Sequence, residues 1–191
     1  MKTPILCTTE NSIYNMLDCD PWPASRDIAN FNGTSAIVAH PPCGFWSTLR
    51  FIIRSTPQRE REQKRLAYMC LDFLWANGGV MEHPARSAFW RMIGMDGSHD
   101  PTGHGFFLRV LQKWWGHRAN KPTILYICGC RPKQLPPIPF DLRCPDVCVS
   151  NISSRKYHRL PEMPKKERLA TPLPFALWLL SVAQICERNK S

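Results

Sequence analysis

Short apolar runs alternate along this chain with longer stretches whose apolar positions recur every three or four residues. The runs at 4–8, 36–39 and 121–128 carry branched residues and predict short strands, and 79–84 reads as another short strand, ending at an acid and a proline. In 58–75, Leu66, Met69, Cys70, Phe73 and Leu74 follow the spacing of one buried helix face. The first turns of that helix are charged from Arg59 to Arg65, and Gly78 supplies a stop. Residues 173–186 predict a second, more apolar helix, with Pro172 and Pro174 at its beginning, where proline is tolerated. Thr8 to Ser12 offer N-caps for a brief helix through Leu17. The stretches 18–25 and 94–105 read as loops, and 106–115 is aromatic and basic.

Strands alternating with helices predict an α/β fold, a mostly parallel sheet flanked by helices. At 191 residues the chain fits one domain with a substantial core. Residues 131–164 read as a proline-rich and basic insertion, and 165–188 as a closing helix. Hydrophobic content of 43% excludes a disordered protein. A net charge of +10 points to an anionic partner, nucleic acid before membrane surface. The polar start and the lack of a twenty-residue apolar span predict neither signal peptide nor membrane anchor. Nine cysteines, an odd count, are then expected as free thiols in a cytoplasm.

The stretch AIVAHPPCGFWS, residues 36–47, carries the sharpest chemical signal. A strand breaks at His40-Pro41-Pro42, where the second proline has no amide for a ladder and both rings fix φ. Cys43 sits directly on that break. A thiol on a rigid turn at the end of a parallel strand occupies the place where open α/β sheets bind ligands. Further along, Met81-Glu82-His83-Pro84 ends a strand at an acid and a proline, and WWGHRANKPTILYICG (114–129) is a basic segment feeding a strand.

In that order, these elements resemble the cytosine carbon-5 DNA methyltransferases. The resemblance makes Cys43 the nucleophile, with Ser47 at the family's serine position, and Glu82 the acid that holds the base. It gives His117, Arg118 and Lys121 the places of the family's basic segment, with Arg118 catalytic through Glu82 or a phosphate. Arg26-Asp27-Ile28 resembles the element that touches the cofactor adenine, so S-adenosylmethionine is the implied cofactor, bound by Asp27, Glu10 and Cys19. Residues 167–176 resemble the segment that packs a final helix on the sheet. The resemblance makes 26–129 the methyltransferase-like core, and the implied fold is Rossmann-like and methyltransferase-type, reduced in size. The turn is also similar to that of small phage proteins, which would place the chain in a host-cell cytoplasm. Two stretches depart from the family: Thr8 to Ile13 contains no glycine where the family turns around its cofactor, and 131–164 is short for a target-recognition region.

The chemistry explains the residue types. Cytosine carbon 5 becomes nucleophilic once a thiolate adds at carbon 6, while an acid at the ring's nitrogen edge stabilises the developing charge. The thiol needs a nearby cation, for which His40, Arg50 and Arg118 are candidates. Arg50, His117, Lys121 and Trp46 are the expected contacts to nucleic acid, Trp46 by stacking on a flipped base. The expected activity is therefore cytosine carbon-5-type modification of DNA or a pyrimidine nucleotide. The alternative is a non-catalytic relative that binds nucleic acid or a nucleotide, or a protein partner, and counters or regulates a host system. Cys128, Cys130, Cys144 and Cys148 form two pairs, but neither pair has the common two-residue zinc spacing, so no metal is expected.

Overall fold

The apolar runs become strands of a single six-stranded sheet in the computed structural model, which describes residues 2–47, 50, 53–95, 98–149 and 160–190. The strands are β1 (Pro4–Thr8), β2 (Asp20–Pro23), β3 (Ile37–Ala39), β4 (Gly79–Pro84), β5 (Gly105–Leu111) and β6 (Pro122–Cys128), in the order β2-β1-β3-β4-β6-β5. β2, β1, β3 and β4 run parallel, and β6 lies antiparallel between β4 and β5. The chain leaves β1 towards β2 on one side and returns to β3 on the other. The crevice where the winding reverses therefore opens at the C-terminal ends of β1 and β3. The fold is α/β with a mostly parallel sheet.

Each face of the sheet is covered. Alternation along the strands sends Ile5, Val38, Val80, Leu125 and Ile127 to one side, under helix α4 (Leu173–Arg188). Leu6, Ile37, Ala39, Met81, Ile124 and Tyr126 go to the other, under α1 (Pro57–Asn77) and the short α2 (Phe89–Met92). Helix α1 starts with the Thr56 hydroxyl accepting from the Arg59 amide and with proline in its first turn. Gly79, at φ +118°, opens β4 so close to β3 that a Cβ there would drive into the Ile37 carbonyl. The stretch Lys165–Arg188 is long and apolar enough to cross a membrane by length and composition, but α4 within it presents Phe175, Leu179, Val182 and Ala183 to the sheet.

Helix α3 (Lys165–Leu169) precedes α4, so the closing segment is two helices joined by Ala170-Thr171-Pro172. The described part of the proline-rich insertion is pinned beneath α4: Trp178 Nε1 donates to the carbonyls of Pro136 and Pro137 at 3.3 and 3.2 Å. Lys113 and Asp141 pair at 2.6 Å and tie that insertion to the end of β5. Two strands run where other structure was expected. β2 is Asp20-Pro21-Trp22-Pro23, inside the expected loop, and β5 occupies most of the aromatic, basic stretch. Both are edge strands, and an edge tolerates the two prolines that a central strand would reject.

Candidate functional site

The C-terminal ends of the parallel strands gather the chemistry. In the register of β3 and β4, Ala39 lies opposite Met81, so His40 and Glu82 stand level on neighbouring strands, on the α4 side. His40 Nδ1 lies 3.2 Å from Glu82 Oε2. A carboxylate only accepts, so the bond places the proton on Nδ1; in the neutral ring Nε2 then accepts from the Tyr14 hydroxyl at 2.8 Å. On its other oxygen, Glu82 accepts from Gln112 Nε2 at 3.1 Å, and the same amide donates to Thr123 Oγ1 at 3.1 Å. One chain of hydrogen bonds thus runs Tyr14–His40–Glu82–Gln112–Thr123. It joins the 3-10 turn after β1 (Ile13–Met16), the end of β3, strand β4, the turn after β5 and the start of β6.

Burial pushes the Glu82 carboxyl up, but the hydrogen bond and charge of His40, and then Lys121, pull it further down, to about 2. Glu82 is an anion throughout the neutral range. Cys43 follows the Pro41-Pro42 break and precedes the 3-10 turn Gly44–Trp46. Burial pushes its thiol up; the Glu82 charge adds to that rise, and Lys121 opposes it. Lys121 is itself lowered by burial and raised by Glu82 and Cys43. Thiol, carboxylate and ammonium therefore share one electrostatic neighbourhood. Lys121 enters β6 at φ +40° and donates from Nζ to the Ala170 carbonyl at 2.9 Å. Beyond it, His117, Arg118, Glu167, Ala170 and Pro172 wall a shallow, open hollow.

Directly under the Pro-Pro-Cys turn lies His83, the next residue along β4 and so on the α1 side. It is fully buried in an aromatic nest, tilted against Phe89 and edge-on to Trp90. Its ring approaches the Pro42 carbonyl without reaching hydrogen-bond geometry, and both nitrogens are otherwise unpartnered. Burial pulls it down to about 4. A neutral imidazole thus floors the turn that carries Cys43.

The structure gathers some of the expected residues and separates others. Cys43, Glu82 and Lys121 come together. Arg118 pairs instead with Glu167 of α3 at 3.0 Å, and His40 with Gln112 holds Glu82 in its place. His117 is buried, its Nδ1 turned to Ala119, and Trp46 is buried edge-on against Phe89 and Tyr68. Little of either side chain reaches the surface, although His117 borders the hollow, whereas Arg50 is exposed. Glu10 and Asp27 lie at the ends of β1 and β2, where Glu10 Oε1 accepts from the Ser25 amide and Asp27 caps the turn Ile28–Asn30. Cys19 lies in the α4-side core, its thiol donating to the Tyr14 carbonyl at 3.2 Å. Of the four cysteines in the two pairs, Cys130 contacts Cys186, Cys144 is exposed, and Cys148 is buried with its amide donating to the Pro161 carbonyl at 3.0 Å. The chain matches no protein-family model and no curated protein.

Tyr14 and Gln112 were not legible as site residues. Gln112 reads as one polar residue in an aromatic, basic stretch, and only the pairing of β5 with β6 brings it to Glu82. Tyr14 lies in the expected brief helix, with nothing local to show that it reaches His40.

Proposed function

We propose that this protein carries out cytosine carbon-5-type modification, a methyl or related one-carbon transfer, on DNA or a pyrimidine nucleotide in a cytoplasm. What supports the reading most is that Cys43 and Glu82 stand at the C-terminal ends of adjacent parallel strands, with Lys121 acting on both. In this scheme the Cys43 thiolate adds to carbon 6 of the pyrimidine. The Glu82 carboxylate faces the ring's nitrogen edge and stabilises the charge that the addition creates. Lys121 favours the thiolate, and the bare Glu82 charge opposes it. A base that offers its N–H donors to Glu82 takes up part of that charge and so eases ionisation of Cys43. The nucleophile is then activated by the substrate itself. S-adenosylmethionine is the proposed donor, with Glu10 and Asp27 at the rim of β1 and β2 as its contacts. Arg50, and Arg118 once released from Glu167, are the surface cations proposed to meet phosphate.

One observation favours a second reading. With no ligand bound, burial and Glu82 keep the Cys43 thiol protonated at neutral pH. That suits a module which binds a nucleotide or nucleic acid in the same cleft without turnover, and counters or regulates a host system. Intact mass after incubation with DNA containing 5-fluorocytosine, with and without S-adenosylmethionine, separates the two. An adduct lost in Cys43→Ser supports the enzyme. Reversible binding without an adduct, unchanged in Cys43→Ser, supports the binder.

A further inference from the structure

Strand β1 contains a distortion that the candidate site does not use. Regular alternation would send Cys7 to the α4 side with Ile5, opposite to Leu6. Instead Cys7 adopts φ +59°, a left-handed conformation that costs a non-glycine residue about 1 kcal/mol or more. The β1–β2 register slips at that point, between Leu6 and Thr8. The slip turns Cys7 onto the α1 side, against the same core as Leu6. There its sulfur lies 3.6 Å from the sulfur of Cys70, which is fully buried on α1. The two cysteines are 63 residues apart in sequence. Cys7 is partly exposed, at the end of β1 beside the crevice where the winding of the sheet reverses.

We propose that Cys7 and Cys70 are a peroxide-sensitive dithiol, Cys7 the residue that meets the oxidant and Cys70 the one that resolves it. The Cys7 sulfur attacks one oxygen of hydrogen peroxide. The O–O bond breaks, one water leaves, and Cys7 becomes a sulfenic acid. Cys70 then attacks the Cys7 sulfur, the S–S bond forms, and the S–O bond breaks with loss of a second water. Each thiol gives up one hydrogen; the peroxide takes two electrons and is reduced to water. The division of labour follows exposure: of the pair, Cys7 is open to a small oxidant, and Cys70 is buried against it within reach of the product. The resulting bridge ties α1 to the end of β1. The inference stands independently of the function proposed above.

The test treats the full chain with one equivalent of hydrogen peroxide, blocks remaining thiols under denaturing conditions, and maps peptides by mass. The expected product is about 2 Da lighter than the reduced chain and joins the peptide containing Cys7 to the peptide containing Cys70. Fragmentation should place the bond at Cys7 rather than Cys19, and dithiothreitol should restore both thiols. Cys7→Gly is the informative variant, because glycine adopts the left-handed backbone without strain and the protein keeps its fold. In that variant Cys70 should remain fully blockable after the same treatment. A bridge between Cys130 and Cys186 with Cys7 and Cys70 still reduced would overturn the proposal. So would a chain with no bridge, or equal loss of the Cys70 thiol in Cys7→Gly.

Discussion

Two carboxylates in this protein are held at about 2, at opposite ends of the sheet, and they do different work. Asp100 sits before β5. Its Oδ1 accepts from the amide and hydroxyl of Thr102, and its Oδ2 accepts from the Gly105 amide and the Tyr126 hydroxyl, the last two at 2.8 Å. All four donors are neutral, and three come from its own loop. The bonds hold the carboxylate within its loop, although its charge also raises the buried Cys128 thiol, and the result is a clamp that seats the loop against Tyr126. Glu82 accepts from His40 and Gln112, partners on other elements, and its field extends to a thiol and an ammonium. A depressed carboxylate is therefore no sign of a site by itself. What distinguishes Glu82 is that the thiol its charge acts on is partly exposed and also feels Lys121, whereas Asp100 acts on the buried Cys128.

The largest expected effect tests whether the reactive end is separable from the clamp. Cys43→Ser should reduce adduct formation on 5-fluorocytosine DNA by about a thousandfold or more, with reversible binding kept within a few-fold. Asp100→Asn should leave the adduct yield of the folded protein unchanged. Adduct loss in both variants would mean that the two ends are not independent.

Acid stability separates both carboxylates from His83, the residue after Glu82 on β4. The folded His83 lies at about 4, below its ordinary value of about 6.5, so the unfolded chain binds more protons between those limits. Stability should fall as pH drops from about 6.5 to about 4, by about 3 kcal/mol in all, and then level off for this group. In the folded protein both carboxylates stay ionised over that range, and in the unfolded chain they take up protons only below about pH 5.5, so the His83 effect is read between about pH 6.5 and 5.5. Urea midpoints across that interval should flatten in His83→Leu, and an unchanged slope would assign the effect elsewhere.

A smaller contrast is expected in stability at neutral pH. Asp100→Ala removes a charged acceptor from four donors and should cost about 2 kcal/mol, read from the urea midpoint. Glu82→Gln should cost about 1 kcal/mol, because the change also removes a buried charge. His40 can move its proton to Nε2 and accept from the new amide, so the network absorbs the substitution. A larger loss for Glu82→Gln than for Asp100→Ala would reverse the comparison.

The central strands and both long helices could be read from the chain because each carries its own periodic signal. β1, β3 and β6 are short branched runs, β4 is a short run ending at an acid and a proline, and α1 and α4 show one buried face each. The edges could not. β2 holds two prolines in four residues and reads as a turn, and it is a strand only because its backbone pairs on one side. The candidate site divides in the same way. Cys43 and Glu82 announce themselves through the prolines that end their strands. Tyr14 and Gln112 are brought in by pairings across the sheet that no local pattern encodes. Trp46 has the composition of a stacking residue and the burial of a core residue, and packing against Phe89 decides it.

The account rests on Cys43, Glu82 and Lys121 behaving as one electrostatic unit. The direct measurement is the rate of Cys43 alkylation by iodoacetamide against pH, read at the Cys43 peptide, in the wild type, Glu82→Gln and Lys121→Met. Removing the Glu82 charge should shift the rise in rate to lower pH and speed alkylation at neutral pH on the order of fivefold. Removing the Lys121 charge should shift it to higher pH and slow alkylation by a similar factor. Three superimposed profiles would contradict the account and leave Cys43 as an isolated buried thiol.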